Sequence, residues 1–204
     1  GKIATRTGDT RWITGEAARW EAHRLLRATI DAMMVGIGTV LADDPQLTAR
    51  DEQGRPLHRQ PLRVIVDSTG RTPISSRLLQ GPGQVLVAGA QIPQERVAEL
   101  SLAGAQVAQF PAGNGSVDLK ALLAYLGQRE VTSVLAEGGG ALLGSLFDQG
   151  LVDKVVAFIA PLIIGGAGAT PAVGGHGSAT LGVALRLQDV HTEQMGEDLM
   201  LVGY

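Results

Sequence analysis

The sequence predicts an α/β fold: a mostly parallel central sheet flanked by helices, ending in a C-terminal antiparallel hairpin. Three observations predict it. Short runs rich in Val, Ile and Ala recur along the chain, helical patterns stand between the earlier ones, and after Asp153 the helical patterns stop. Parallel neighbours need crossover connections, which are normally helical, so strands alternating with helices imply a parallel sheet. A chain of 204 residues fits one domain, and a single domain over 1–204 is the expectation.

Thr14 is placed to cap a first helix reaching about Thr29, with Ala18, Ala22, Leu25 and Leu26 on one face. Buried strands are expected at 32–37, 62–66, 85–88, 131–136, 155–159 and 199–202, each a short apolar run. Further helices are expected at 95–102 after Pro93, at 117–129, and from the glycines at 138–140 to about Gln149. The runs 181–190 and 198–202 flank a short connection and read as the hairpin, at one edge of the sheet. The polar segment 51–59 and the glycine-rich segment 165–177 read as loops.

Composition narrows the function classes. With 45% hydrophobic residues, 18% charged residues and a formal charge of -3, the chain is neither disordered nor basic enough for a nucleic-acid partner. No apolar stretch approaches the roughly 20 residues needed to span a bilayer, and no signal-peptide pattern is seen, so no membrane and a cytoplasmic address are expected. The absence of cysteine excludes disulfides and the zinc deaminase signature from this sequence. His23, His58, His176 and His191 lack ligand spacing and read as surface or supporting residues, so no metal is expected.

Four segments can carry chemistry. In VLAEGGGALLGSLF a strand ends at Glu137 and glycines lead into a helix. Such a turn lets backbone N–H groups approach a pyrophosphate, and a tight strand-to-helix connection explains the glycines equally well. In VGIGTVLADDPQLTAR a strand runs into a turn with Asp43, Asp44 and Pro45, followed by Thr48 and Arg50. Two carboxylates before a proline read as a solvated turn; as a catalytic acid, Asp43 needs partial burial. Among Lys2, Arg11, Arg24, Arg27 and Arg50, Arg27 suits a helix C-terminus on structural grounds alone, and Arg50 could join it at a phosphate. In IVDSTGR, Ser68 and Arg71 follow a strand and either form a turn or hold an adenosine 2′-phosphate. Trp12, one of two tryptophans, reads as core from residue type alone.

Taken in order, GKIATRTGDTRWITG, HRLLRATIDAMMVGIGTVLADDPQLTAR, RVIVDS and LAEGGGALLGSLFDQGLVDKVVAFIAPLIIGG resemble the reductase domain of bacterial bifunctional riboflavin-biosynthesis proteins over nearly the whole chain. That family is the 5-amino-6-(5-phosphoribosylamino)uracil reductases. The resemblance implies a dihydrofolate-reductase-like fold, NADPH as cofactor, a small phosphoribosylaminopyrimidine as substrate, and a homodimer or higher homo-oligomer. By position it implies that Trp12, Thr39, Asp43 and Ser68 contact NADPH together with Gly139, Gly140, Ala141, Leu142, Leu143, Gly144 and Ser145. It implies that Thr10, Arg27, Leu47, Arg50 and Glu137 bind the substrate and that Lys2 lies near its sugar. Thr10 stands where the family commonly has serine, and the hydroxyl is kept.

In family members a strand and a Ser-Leu-Asp-like segment precede GKIA, so a strand upstream of Gly1 is expected, and deamination is expected from another domain or protein. Asp43 is the first candidate for a direct or water-relayed proton role, with Lys2 and Glu137 next; Glu137 more readily accepts hydrogen bonds from the aminopyrimidine. Alternatives are the related reductase acting on the diaminopyrimidinone, dihydrofolate reductase, and a non-catalytic nucleotide or phosphosugar sensor.

Overall fold

The computed structural model describes residues 1–51 and 53–204, Leu25 by its backbone only. In chain order the helices are α1 (Glu16–Glu21), α2 (Ile37–Asp43), α3 (Arg77–Gln80), α4 (Gln94–Leu102), α5 (Leu119–Gln128) and α6 (Gly140–Asp148). The strands are β1 (Ala32–Gly36), β2 (Leu62–Val66), β3 (Val85–Gly89), β4 (Gln106–Gln109), β5 (Val134–Ala136), β6 (Val155–Ile159), β7 (His191–Met195) and β8 (Asp198–Gly203). They form two compact units, one of His23–Gly139 and the other of Gly1–Ala22 with Gly140–Tyr204.

The first unit is built on a five-stranded, wholly parallel sheet in the order β4-β3-β2-β1-β5. Ala32, Met33, Met34 and Val35 of β1 and Val85–Gly89 of β3 are buried residue after residue, the pattern of strands covered on both faces. One face packs Met33, Val35, Ile65 and Val87 with Ile37, Leu47, Leu78 and Leu100. Asp31 closes the start of the sheet by accepting bonds from the backbone N–H and hydroxyl groups of Thr132 and Ser133. These bonds, the Thr132 hydroxyl first, hold its carboxyl down at about 2.

Arg63 on β2 is fully buried and donates to the carbonyls of Gln46, Gly81 and Gly83 at 3.5, 3.2 and 2.8 Å. Burial lowers its pKa.

The second unit contains an antiparallel sheet in the order β6-β8-β7. The terminal hairpin is real but lies elsewhere than expected: its first strand is His191–Met195, joined to β8 by Gly196 and Glu197. Residues 181–190 hold only a 3-10 turn at Leu181–Val183, and Leu181, Val183 and Leu185 are exposed. The hairpin also joins β6 in its own sheet rather than lengthening the edge of the parallel one.

Three other local expectations are corrected. Thr14 does not cap α1; Gly15 occupies the cap, and its N–H donates to the buried Asp198 carboxylate at 2.6 Å. The helix does not run regularly to Thr29 but passes at Ala22–Arg27 into a π-helical turn, closed by the Ala28 N–H donating to the His23 carbonyl. The run after Gly36 is not strand and turn but α2, whose end Asp44 adopts φ +40°. Strand β4 and helix α3 were absent from the sequence reading. Within the 51–59 loop, Asp51 accepts the N–H groups of Gln53 and Arg55 in a side-chain-stabilised turn, and Glu52 lies outside the described residues.

Candidate active site

In the parallel unit, the chain adds β2, β3 and β4 on one side of β1 and then returns to place β5 on the other. The order therefore reverses at β1 and β5, and ligands of open α/β sheets bind at such a reversal, beyond the carboxyl ends of the strands. Beyond β1 here stands α2 with Thr39; beyond β5 stand Glu137, Gly138 and Gly139. The Glu137 N–H donates to the Met34 carbonyl at 2.9 Å and so continues the β1–β5 ladder.

Gly138 and Gly139 have φ of +67° and +74°, and a Cβ on Gly139 would come within 3.0 Å of Thr39 Oγ1. Left-handed backbone and close approach together require glycine here. This leaves a bare backbone surface at the sheet's switch point, of the kind that a dinucleotide pyrophosphate needs. Ser68 is half-buried at the end of β2, next to β1, and Arg71 is exposed without an ion pair among the described residues. Their turn is built by Asp67, whose buried carboxylate accepts the N–H groups of Gly70 and Thr72 and the Thr72 hydroxyl at 3.1, 2.7 and 2.7 Å. These residues fit a nucleotide cofactor.

A cavity of about 210 Å³ opens in the same unit, lined by His23, Arg27, Pro45, Gln46, Leu47, Thr48, Arg50 and Arg77. It is smaller than the roughly 300–1,000 Å³ of sites that take drug-sized ligands, and its size suits one charged group of a larger molecule. Arg27 leaves the π-helical turn and grips Glu137 with two bonds, Nε to Oε1 at 2.8 Å and Nη2 to Oε2 at 2.5 Å. Both side chains are about one-fifth exposed. The pair ties the cavity to the glycine turn, and it makes Glu137 an acceptor of hydrogen bonds.

Arg50 is set by Thr48 Oγ1 at 2.9 Å and by the Gln46 side chain. Leu47 is buried at φ +49°, a conformation that costs a bulky residue about 1–3 kcal/mol and persists only where packing imposes it. Asp44, read as part of a solvated turn, accepts the Arg77 N–H at 2.9 Å and fixes α3 beside the cavity. Asp43 is exposed, so the structure does not provide the burial asked of a catalytic acid.

The structure thus gathers Arg27, Leu47, Arg50 and Glu137, and separately Thr39 with Gly139. Lys2, Thr10, Trp12 and the 140–145 segment belong to the other unit. There Lys2 Nζ donates to the Ala169 carbonyl at 2.8 Å. Trp12, which residue type alone places in the core, is 75% exposed at φ +63°, with the Arg19 guanidinium 4.4 Å from its ring centroid. Gly140 and Gly144 have a packing reason to be glycine: a Cβ would come within 2.6 Å of the Pro171 carbonyl oxygen and 2.3 Å of the Gly174 carbonyl carbon, respectively. Leu142 is buried, Ala141 is exposed, and Ser145 donates to the Ala141 carbonyl. Thr10 is exposed.

Sequence reasoning missed three cavity residues, His23, Gln46 and Arg77. The four-residue spacing of His23 and Arg27 was a usable signal, since such residues can meet on a helix; nothing local marks Arg77. Among the described residues, no group of three or more His, Asp or Glu could hold a metal, and no helix is long and apolar enough to cross a membrane.

Comparison with known proteins bears on the whole chain. The sequence profile of the RibD C-terminal domain matches residues 1–201. The chain is 41% identical over 202 residues to the 2,5-diamino-6-ribosylamino-4(3H)-pyrimidinone 5′-phosphate reductase of Methanothermobacter thermautotrophicus, covering 98% of this chain and 91% of that protein. It is 37% identical over 203 residues to the riboflavin biosynthesis protein RibD of Actinobacillus pleuropneumoniae, covering 98% of this chain but only 53%, about half, of that relative. The solved structure of Acinetobacter baumannii RibD superposes with a TM-score of 0.83 at 31% identity, over 100% of this chain and 54% of that one. These are reductases and riboflavin-biosynthesis proteins by name, and a nucleotide cofactor goes with such a reductase. With a profile match over nearly its full length and relatives above 30% identity, the chain belongs to the RibD C-terminal domain family.

Proposed function

We propose that this chain reduces the ribosyl group of 5-amino-6-(5-phosphoribosylamino)uracil to a ribityl chain with NADPH. The observation that carries this reading is the Arg27–Glu137 pair, which joins a cationic cavity to the glycine turn at the switch point of the sheet. Arg27 and Arg50 suit the ribose phosphate, since guanidinium forks match phosphate oxygens. Glu137, an acceptor, suits the amino groups of the pyrimidine, and Leu47 and Thr10 complete the substrate contacts.

Thr39, Ser68, Arg71, Gly139, Trp12 and the segment 140–145 (Gly140, Ala141, Leu142, Leu143, Gly144, Ser145) are assigned to the cofactor. Bound NADPH supplies the hydride. The ribose ring must first open: a proton reaches the ring oxygen, the C1′–O bond breaks, and the exocyclic nitrogen supplies the electron pair that leaves an imine at C1′. Asp43 is assigned this proton, through water given its exposure, with Lys2 near the sugar. Deamination belongs to a different catalytic centre, and the protein is expected to be a homodimer or higher homo-oligomer.

The test is loss of NADPH absorbance on adding the deaminated substrate, with the ribityl product identified by mass. Oxidation coupled to product supports the reading. NADPH binding without turnover overturns it in favour of a sensor. A second reading, reduction of the 2,5-diamino substrate, is favoured by the similarity to the archaeal reductase over 91% of that protein's length. A preference for the diamino compound by kcat/KM selects it.

Two substitutions check residue roles. Asp43→Asn is expected to lower kcat by about 10²–10⁴-fold, the usual range for a placed acid, with NADPH affinity retained; unchanged turnover ends the acid assignment. Ser68→Asp with Arg71→Asp is expected to raise KM for NADPH by more than tenfold while sparing NADH, because acidic residues repel a 2′-phosphate that NADH lacks. Equal loss with both cofactors would sink the 2′-phosphate assignment.

A further inference from the structure

The cavity lining contains three guanidinium groups, one imidazole and no carboxylate. Arg77 and His23 line it beside Arg27 and Arg50, and neither has an assigned part in ligand binding. Arg77 is exposed, has no ion pair among the described residues, and is anchored only through its backbone N–H on Asp44.

His23 Nε2 lies 3.5 Å from Arg27 Nη1. A guanidinium nitrogen only donates, so Nε2 accepts and the ring proton is on Nδ1. Nδ1 is buried and has no hydrogen-bond partner. A buried N–H without an acceptor is costly and is rarely kept without a reason.

The charged groups facing the ring are Arg27 on its own helical turn, Arg50 from the loop after α2, and Glu137 from the end of β5. Arg77 faces the cavity from α3. Burial first, then Arg27 and Arg50, push the imidazole down to about 4, while Glu137 opposes them. These surroundings therefore hold His23 neutral at pH 7. An anion among the same groups reverses the balance, because a dianion offsets the two arginines that keep the proton away.

We propose that His23 is a proton-coupled positioning residue: a dianionic phosphate group bound among Arg27, Arg50 and Arg77 brings a proton onto His23, and the imidazolium no longer holds Arg27 Nη1, which turns to the anion. The inference rests on the reading of the cavity as a phosphate site and adds to it a linkage between ligand charge and protonation. By that linkage the anion binds more tightly as pH falls. Each unit by which the anion raises the His23 pKa is worth tenfold in affinity between the fully neutral and fully protonated ring.

Sulfate is the probe, because it is a dianion that does not itself titrate in this range. The Cε1–H resonance of His23, identified by its absence from His23→Gln, is followed against pH in chloride and in saturating sulfate. Its midpoint is expected to rise by one unit or more in sulfate. Sulfate affinity is expected to increase several-fold from pH 7 to pH 4 in the unaltered protein, the window in which a ring held near 4 takes up its proton, and to stay flat in His23→Gln.

Arg77→Gln, a change at an exposed position, is expected to weaken sulfate and shrink the midpoint shift, and this holds even if His23→Gln does not fold. Sulfate that binds in an Arg50-dependent way while the His23 midpoint stays still overturns the proton linkage. Sulfate that ignores Arg50→Gln overturns the phosphate reading of the cavity, and the linkage with it.

Discussion

Replacing Arg27 by methionine is expected to reduce kcat/KM by about 10³-fold or more. Methionine keeps most of the aliphatic stem, so the change isolates the guanidinium. Two losses combine. Glu137 loses both donors, at 2.8 and 2.5 Å, in a site where each partner is only about one-fifth exposed. Truncating one member of a desolvated, hydrogen-bonded charge pair costs about 2–5 kcal/mol.

The cavity also loses one of its three guanidinium groups, and a charge-assisted bond to a ligand anion is worth roughly 1.5–3 kcal/mol. Either loss alone accounts for a factor of ten or more, and the two act on the same reaction. Arg27→Lys should rescue little, because an ammonium cannot make the two parallel bonds to Glu137. Steady-state kinetics, with a melting curve for each variant, check this: a fall in kcat/KM below tenfold would remove the pair from the reacting site.

Asp67→Ala is expected to cost about 3–5 kcal/mol of folding stability, a large share of the 5–15 kcal/mol typical of a domain. The carboxylate is fully buried and satisfies two backbone N–H groups and the Thr72 hydroxyl. Removing it strands these donors in a place that water does not reach, at about 1–3 kcal/mol each before the turn relaxes. Asp67→Asn should recover only part, since its NH₂ group would face N–H donors rather than acceptors. The urea midpoint should fall without a change in slope. A loss below about 1 kcal/mol would mean that the Asp67–Thr72 turn is held by something other than this carboxylate. Because Ser68 and Arg71 lie within that turn, the variant should also bind NADPH less well than NADH-selective changes alone would predict.

What was legible in the sequence followed from burial. Leu62–Val66 and Val155–Ile159 were found with their observed bounds because their ends coincide with a change from apolar to polar or loop residues. Helix α2 was missed because Ile37, Val40 and the strand before it are all buried; a run that is apolar on every side carries no period by which to tell strand from helix. Strand β4 was missed because QVAQ, at the sheet edge, has only two partly buried residues. Strand β7 consists of HTEQM and is largely exposed, so the more apolar 181–190 stretch drew the hairpin to itself.

The family resemblance named candidate site residues one by one, but no pairing among them was legible. Arg27 and Glu137 are 110 positions apart, and no local pattern announces their contact. The glycines show the same limit from the other side. Gly138 and Gly139 are required by a left-handed turn against Thr39, whereas Gly140 and Gly144 make room for the 171–175 segment. One letter repeated in one short stretch therefore serves two different needs.

The cavity loop has one further support. The Gln60 side chain accepts from the Ala49 N–H and donates to the Ala49 carbonyl, both at 3.0 Å, with a further bond to the Leu57 carbonyl at 2.6 Å. A carboxamide carries the same donor and acceptor as a peptide group, so one side chain takes the place of a neighbouring strand beside residues 48–50. These bonds hold the loop from within the fold, so on the proposed phosphate role of Arg50 less conformational entropy is left to lose on binding. On that proposed role, affinity at Arg50 is partly decided at position 60, which does not line the cavity, and a change there is expected to be felt as a less favourable entropy of binding rather than as a lost contact.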